Sequence, residues 1–100
     1  MSGQQGSDTD TARLDVWLWR ARFYKTRSLS SEQISKRGVR LSRHGQTRKV
    51  KKPGTNVIAG DIVTFGRSVH IRTVEILDLG TRRGPAPEAA TLYRELERED

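Results

Sequence analysis

No cysteine occurs among the 100 residues. That excludes disulfides and thiolate metal sites, and a reducing compartment suits such a composition. No apolar run approaches the roughly 18 residues a membrane-spanning helix needs. The opening stretch MSGQQGSDTDTA has neither the basic nor the apolar region of a secretory signal. The expectation is therefore a cytoplasmic protein with no membrane partner. Hydrophobic residues are also scarce, at 33%, so a chain of this length buries a small core in a single domain. It has no room for a catalytic domain beside a binding one.

The groups that chemistry requires are equally thin. The two histidines are His44, in a turn-like run among arginines, and His70, on a strand-like run with no acidic neighbour. Both read as surface residues. No paired carboxylates flank a pocket-forming stretch, no phosphate-cradling G-x-x-x-x-G-K-[ST] occurs, and no metal-ligand spacing is present. The chain is expected to be no enzyme and to need no cofactor or metal.

Acids, finally, are almost missing from residues 13–53. That stretch holds thirteen of the nineteen Lys and Arg residues against Asp15 and Glu32, a local charge of +11 within a net charge of +7. The flanking segments are mildly acidic. A basic balance confined to one segment marks a face for a polyanion.

The order of elements follows from period and punctuation. Residues 1–11 cannot be buried and read as a disordered tail. Leu14, Trp17, Leu18 and Ala21 recur at helical spacing and predict a helix from Leu14 to Tyr24. Thr26 suits the N-cap of a second helix, Arg27 to Arg37, with Leu29, Ser30, Gln33 and Ile34 inward and Gly38 as a left-handed C-cap. The remainder reads as β structure. Val39-Arg40-Leu41 alternates, Ser42 to Gly45 turns, Gln46 to Val50 returns, and Lys51 to Gly54 is a basic loop. After a turn at Gly60-Asp61, Ile62 to Phe65 is a strand. Gly66-Arg67-Ser68 is a turn, and Val69 to Leu77 a further strand. Thr81 to Pro85 connects to a last helix, Glu88 to Glu97, with Pro87 at its start. The domain thus spans 12–80, with 81–100 a connector and a helix packed on it.

A basic face of this density suits nucleic acid. The start of the second helix, at Thr26, Arg27 and Ser28, offers directed donors for a phosphate. Lys36, Arg37 and Arg40 lie at its far end, Arg43 and His44 at the hairpin turn, and Arg48, Lys49, Lys51 and Lys52 beyond. A helix pair and a hairpin form a clamp that reads shape and backbone, as structured RNA requires. Four of the six aromatics fall at Trp17, Trp19, Phe23 and Tyr24. Trp17 belongs to the apolar stripe and so to the core. Trp19 lies opposite it, and Tyr24 is open to either a core or a stacking role.

The run Arg13-Leu14-Asp15, Trp17-Leu18-Trp19, Ala21-Arg22-Phe23 and Lys25-Thr26-Arg27-Ser28-Leu29, followed by Ile34, Gly38-Val39-Arg40, Gly45, Lys52-Pro53 and Gly60-Asp61, resembles the RNA-binding domain named after ribosomal small-subunit protein four, the S-four domain. The paired tryptophans and the RFYKTRSL string, with Arg82 to Ala89 and Leu92-Tyr93, resemble the bacterial ribosome-associated heat-shock protein fifteen family. The resemblance covers residues 13–97. It implies an α+β fold in which two N-terminal helices pack on a small antiparallel sheet, the alpha-L motif, with a short C-terminal helix. It further implies a non-enzymatic protein that binds ribosomal RNA or tRNA on the free large ribosomal subunit carrying a stalled nascent chain, and DNA as well. A monomer is expected. By position it assigns binding to Arg13, Arg22, Lys25, Thr26, Arg27, Ser28, Lys36, Arg40 and Lys52. Two departures stand out. The hairpin Leu41 to Gly45 is one residue longer and more basic than the family's usual V-N-G. The run Arg94 to Asp100 is acidic where longer members carry a basic extension, so a weaker ribosome contact or another RNA client is expected. Apart from the resemblance, a docking module for an acidic protein would carry the same charge.

Overall fold

The computed structural model describes residues 10–67 and 70–96. Most of the expected disordered tail, at residues 1–9, lies outside them. Among the described residues regular structure begins at Ala12. There a two-residue strand, β1 (Ala12–Arg13), pairs antiparallel with β4 (Asn56–Val57). Leu14 and Asp15 then donate their backbone N–H groups to the carbonyls of Thr55 and Pro53. The start of the first helix is thereby tied to the loop that follows the hairpin.

Helix α1 (Leu14–Arg20) buries the predicted stripe of Leu14, Trp17 and Leu18, with Ala21 just beyond it. It is shorter than the period suggested, because the chain leaves the helix at Arg22 with φ of 68°. The Phe23 N–H bonds to the Leu18 carbonyl at 3.0 Å and the Arg22 N–H to that of Trp19 at 3.0 Å. These two bonds make a Schellman stop. Phe23 and Leu18 are both buried in the same core cluster, in keeping with the apolar pair that accompanies the motif. An arginine occupies the left-handed position that glycine usually fills, which costs about 1–2 kcal/mol.

Helix α2 runs Arg27–Arg37, as its caps foretold. The Thr26 hydroxyl accepts from the Leu29 N–H at 3.0 Å. Ser30 and Ile34 are buried, and the Ser30 hydroxyl donates to the Asp15 carbonyl at 2.9 Å, joining the two helices. Gly38 has the expected positive φ, 79°, but its ψ is 165° rather than helical. That region is essentially reserved for glycine, and it sends the chain straight into a strand. A Cβ there would also lie 2.7 Å from Lys49 Cε.

The sheet has the order β3-β2-β5-β6-β7, every neighbour antiparallel. Its strands are β2 (Val39–Arg43), β3 (Gln46–Val50), β5 (Ile62–Arg67), β6 (His70–Ile76) and β7 (Tyr93–Glu95). The β2–β3 turn is tighter than expected, since Ser42 and Arg43 remain in β2. The reversal takes two residues, His44 (φ 53°) and Gly45 (φ 78°). Positive φ at both is the type I′ pattern, whose twist matches that of the flanking strands. Gly66 and Arg67 likewise continue β5 rather than turning, and Ser68, the last residue of the expected turn, lies outside the described residues. In β6 the inward residues are Val74 and Ile76, whereas Ile71 is 55% exposed. The register set by that apolar pair turns Ile71 to the outer face.

The C-terminal segment departs most from expectation. Its helix, α3, spans only Ala86–Ala89, followed by a 3-10 turn at Ala90–Leu92. Tyr93–Glu95 then pairs with β6 instead of continuing as helix. The open edge of β6 offers backbone partners, and these outweigh a helix propensity worth only tenths of a kcal/mol per residue. Tyr93 packs on the core, with its ring 4.7 Å from Phe23, and Phe23 lies 4.9 Å from Phe65. Trp17 is wholly buried, and its indole N–H donates to the Asp78 carbonyl at 3.0 Å. Tyr24 is buried too, its hydroxyl 3.4 Å from the Gly66 carbonyl, so it has no exposed ring for stacking. Trp19 is half-buried, with the guanidinium groups of Arg27 and Arg83 each 5.9 Å from its ring centre.

Candidate nucleic-acid interface

Helix α2, the β2–β3 hairpin and the loop at 51–54 bring the basic residues together, but their side chains fall into two groups. The first is already engaged. Arg13 donates to Asp15 in a two-pronged pair, Nε to Oδ1 at 3.0 Å and Nη2 to Oδ2 at 2.9 Å. Hydrogen bonding to the carboxylate raises its pKa further. Arg22 donates Nε–H to the Gly84 carbonyl at 2.7 Å and so fastens the C-terminal segment to the end of α1. Arg43 makes a second fork, to both oxygens of Asp61 at 2.7 Å. Asp61 is 1% exposed and also accepts from the Ile58 N–H at 2.9 Å. The hydrogen bonds that Arg43 donates to Asp61 raise its pKa, against the opposing effect of partial burial. Lys36 pairs with Glu32 one turn back at 2.9 Å, on an exposed helix face.

The second group has no ion-pair partner among the described residues. It comprises Lys25, Arg37, Arg40, Arg48, Lys49, Lys51 and Lys52, all exposed. Register brings several of them together. Arg40 lies across from Lys49 on adjacent strands, and Arg48 across from Leu41. Like charges directly opposite one another destabilise a sheet, so this arrangement costs folding energy that an anion would recover. Lys51 and Lys52 stand on the loop held by Asp15 and Leu14. Thr55 closes that loop, donating both its N–H and its hydroxyl to the Lys52 carbonyl at 3.0 and 2.7 Å. Arg27 and Ser28 are exposed at the first turn of α2, where backbone N–H groups point outward. His44 projects at the hairpin tip. Thr26 caps its helix through its side-chain oxygen, so that oxygen already has a partner.

Charge pattern found the basic residues but missed Asp15 and Asp61, the acids that hold two of them. Their sequence separations from Arg13 and Arg43 are 2 and 18 residues. The first lies within one turn and was open to inference. The second needs the fold. Among the described residues no group of His, Asp and Glu could hold a metal, and no helix is long and apolar enough to cross a membrane.

A chain that puts two helices and a hairpin into one basic face is of the S-four class, and the comparisons agree. The family model for the S4 domain matches residues 12–63, and the chain belongs to that family. Its relatives there are heat shock protein 15 proteins. The Heat shock protein 15 homolog of Aeromonas salmonicida is 43% identical, over 89% of this chain and 64% of its own length. Heat shock protein 15 of Escherichia coli K12 is 42% identical, over 83% and 59%. This chain therefore spans about three-fifths of those relatives. The RQC P-site tRNA stabilizing factor of Listeria innocua is 35% identical, over 85% of this chain and 89% of its own length. The trimeric structure of Vibrio cholerae heat shock protein 15 matches with a TM-score of 0.74 at 39% identity, covering 87% of this chain and 83% of that one.

Proposed function

We propose that the chain is a non-enzymatic binder of structured RNA, and that its client is ribosomal RNA or tRNA on the free large ribosomal subunit carrying a stalled nascent chain. The observation that carries this reading is the set of seven exposed cations with no ion-pair partner among the described residues, on the turn before α2, the end of α2, the hairpin and the 51–54 loop. Each can neutralise an RNA phosphate and release the counterion condensed on it. Arg27 and Ser28 add donors at the helix start, with Lys36 at its far end and His44 at the hairpin tip. Arg13, Arg22 and Arg43 act chiefly by holding this surface in shape. Ribosome association would place the protein in the cytoplasm. The tRNA-stabilizing relative in Listeria lends support to a tRNA or ribosomal client.

Sucrose-gradient sedimentation of the tagged chain in cell extract, at low and high salt and with or without nuclease, tests the client. Comigration with free large subunits at low salt, lost at high salt, is expected. Migration at the top with small RNA would assign another RNA. Binding that survives nuclease would favour an acidic protein partner, and equal competition by DNA duplexes a general nucleic-acid binder.

A further inference from the structure

Two grooves meet at Gly66, one on each side of Arg37, and they differ in character from the phosphate-facing surface. The first has a cavity volume of about 340 Å³ and lies between α2 and the turn after α1, lined by Tyr24, Lys25, Leu29 and Gln33. The second, of about 310 Å³, opens onto the outer face of the sheet beside Arg40, Lys49 and Ile71. Arg37 and Gly66 line both. Gly66 lacks the side chain that would separate them: a Cβ there would stand 3.2 Å from Arg37 Nη1. Two of the three large apolar side chains exposed among the described residues, Leu29 and Ile71, border this trough. Among the described residues no carboxylate lines it.

Leu29, Gln33 and Arg37 repeat every four residues, so they form one stripe along α2. Their span is about 12 Å of helix at 1.5 Å per residue. That is room for three or four bases at the stacked rise of about 3.4 Å. Apolar surface alternates with cation along the trough: Lys25, Leu29, Arg37, then Ile71 with Lys49 and Arg40. A nucleic-acid strand with exposed bases presents that chemistry, an apolar face beside each charge, and an unpaired guanidinium is a flat surface on which a base can stack. A duplex hides its bases and would leave Leu29 and Ile71 uncovered.

We propose that this trough takes an unpaired stretch of RNA, continuous with a structured region held by the hairpin and loop cations. The proposal rests on the RNA-binding reading above and extends it to single-stranded RNA flanking a stem. Fluorescence anisotropy with three labelled RNAs tests it: a blunt stem-loop, and the same stem-loop with a six-nucleotide single-stranded extension at its 3′ end or at its 5′ end. The full chain should bind one of the extended RNAs about five- to tenfold more tightly than the blunt one, the scale of one stacked base. Leu29→Ser with Ile71→Ser leaves charge unchanged and touches only exposed side chains. It should bring the extended RNA down to the affinity of the blunt one, which it should leave unaltered. Gly66→Val, which fills the junction, should do the same. Thermal melts confirm that each variant is folded. An extension that adds no affinity, or a gain that survives in both variants, would overturn the proposal while leaving stem binding intact. Binding of none of these RNAs at low salt would sink the RNA-binding reading and this proposal together. Selective displacement of the extension by a polyglutamate peptide would reassign the trough to an acidic protein.

Discussion

Replacing Asp61 should unfold the clamp before it affects any ligand. Its carboxylate is 1% exposed and accepts three hydrogen bonds, two from Arg43 at 2.7 Å and one from the Ile58 N–H at 2.9 Å. Asp61→Ala removes all three acceptors, leaves the Ile58 N–H without its acceptor and opens a small void. Charge-assisted bonds contribute about 1.5–3 kcal/mol each, and breaking a buried pair costs roughly 3–5 kcal/mol. The Arg43 side chain is 37% exposed, so water recovers part of that loss. A cost of about 2–4 kcal/mol is expected, which lowers Tm by roughly 10–25 °C in a domain of this size. Asp61→Asn keeps the shape and one acceptor and should cost about half as much. A double-mutant cycle with Arg43→Met isolates the pair, measured by urea unfolding. A coupling energy above about 1.5 kcal/mol is expected, beyond the range of exposed ion pairs. A coupling near zero, or an unchanged Tm in Asp61→Ala, would refute the view that Arg43 is a strut.

Two further substitutions follow from the same structure. Arg22→Ala loses the bond to Gly84 and keeps the left-handed strain, whereas Arg22→Gly loses the bond and relieves the strain. The glycine variant should therefore be the more stable of the two by about 1 kcal/mol; equal unfolding midpoints would contradict the Schellman stop. Acid should also weaken the C-terminal strand. The Arg72 fork holds the Glu95 carboxyl below its ordinary value near 4.5, so Glu95 binds fewer protons in the folded state than in the unfolded one. Its contribution is complete above pH 4.5 and is lost as pH falls through the lowered value. The pair is half exposed and contributes no more than about 1 kcal/mol. Glu95→Gln should flatten that part of the acid dependence of Tm; an identical acid profile would remove Glu95 from the account.

The parts of the fold that were legible in sequence are those whose signals are local. Leu14, Trp17, Leu18 and Ala21 announce a buried face by spacing alone, and Thr26 and Gly38 bracket α2 because only a few residue types satisfy helix ends. The stop at Arg22 was hidden, since a non-glycine residue holds positive φ there and the bond from Phe23 to Leu18 decides the matter. Tyr93-Arg94-Glu95 was hidden too. Three residues carry no period, and their strand conformation comes from the edge of β6, not from the residues themselves. The imperfect alternation of Val69 to Leu77 likewise left the inner face of β6 open, and burial of Val74 and Ile76 decides it. The charge count located the candidate face well, because thirteen cations in one segment outweigh any single position. It could not sort free cations from engaged ones, since the partner of Arg43 lies on another strand.

Salt dependence of RNA binding separates the free cations from the engaged ones most directly. The affinity of the chain for a structured RNA should be measured as a function of salt for the unmodified protein and for Arg40→Gln, Lys52→Gln and Arg43→Gln. Loss of a phosphate-contacting cation lowers the slope of log affinity against log salt by about 1. That reduction is expected for Arg40→Gln and for Lys52→Gln, and almost none for Arg43→Gln, whose cost should appear in Tm instead. Slopes unchanged by the first two substitutions, or reduced by the third alone, would contradict that separation.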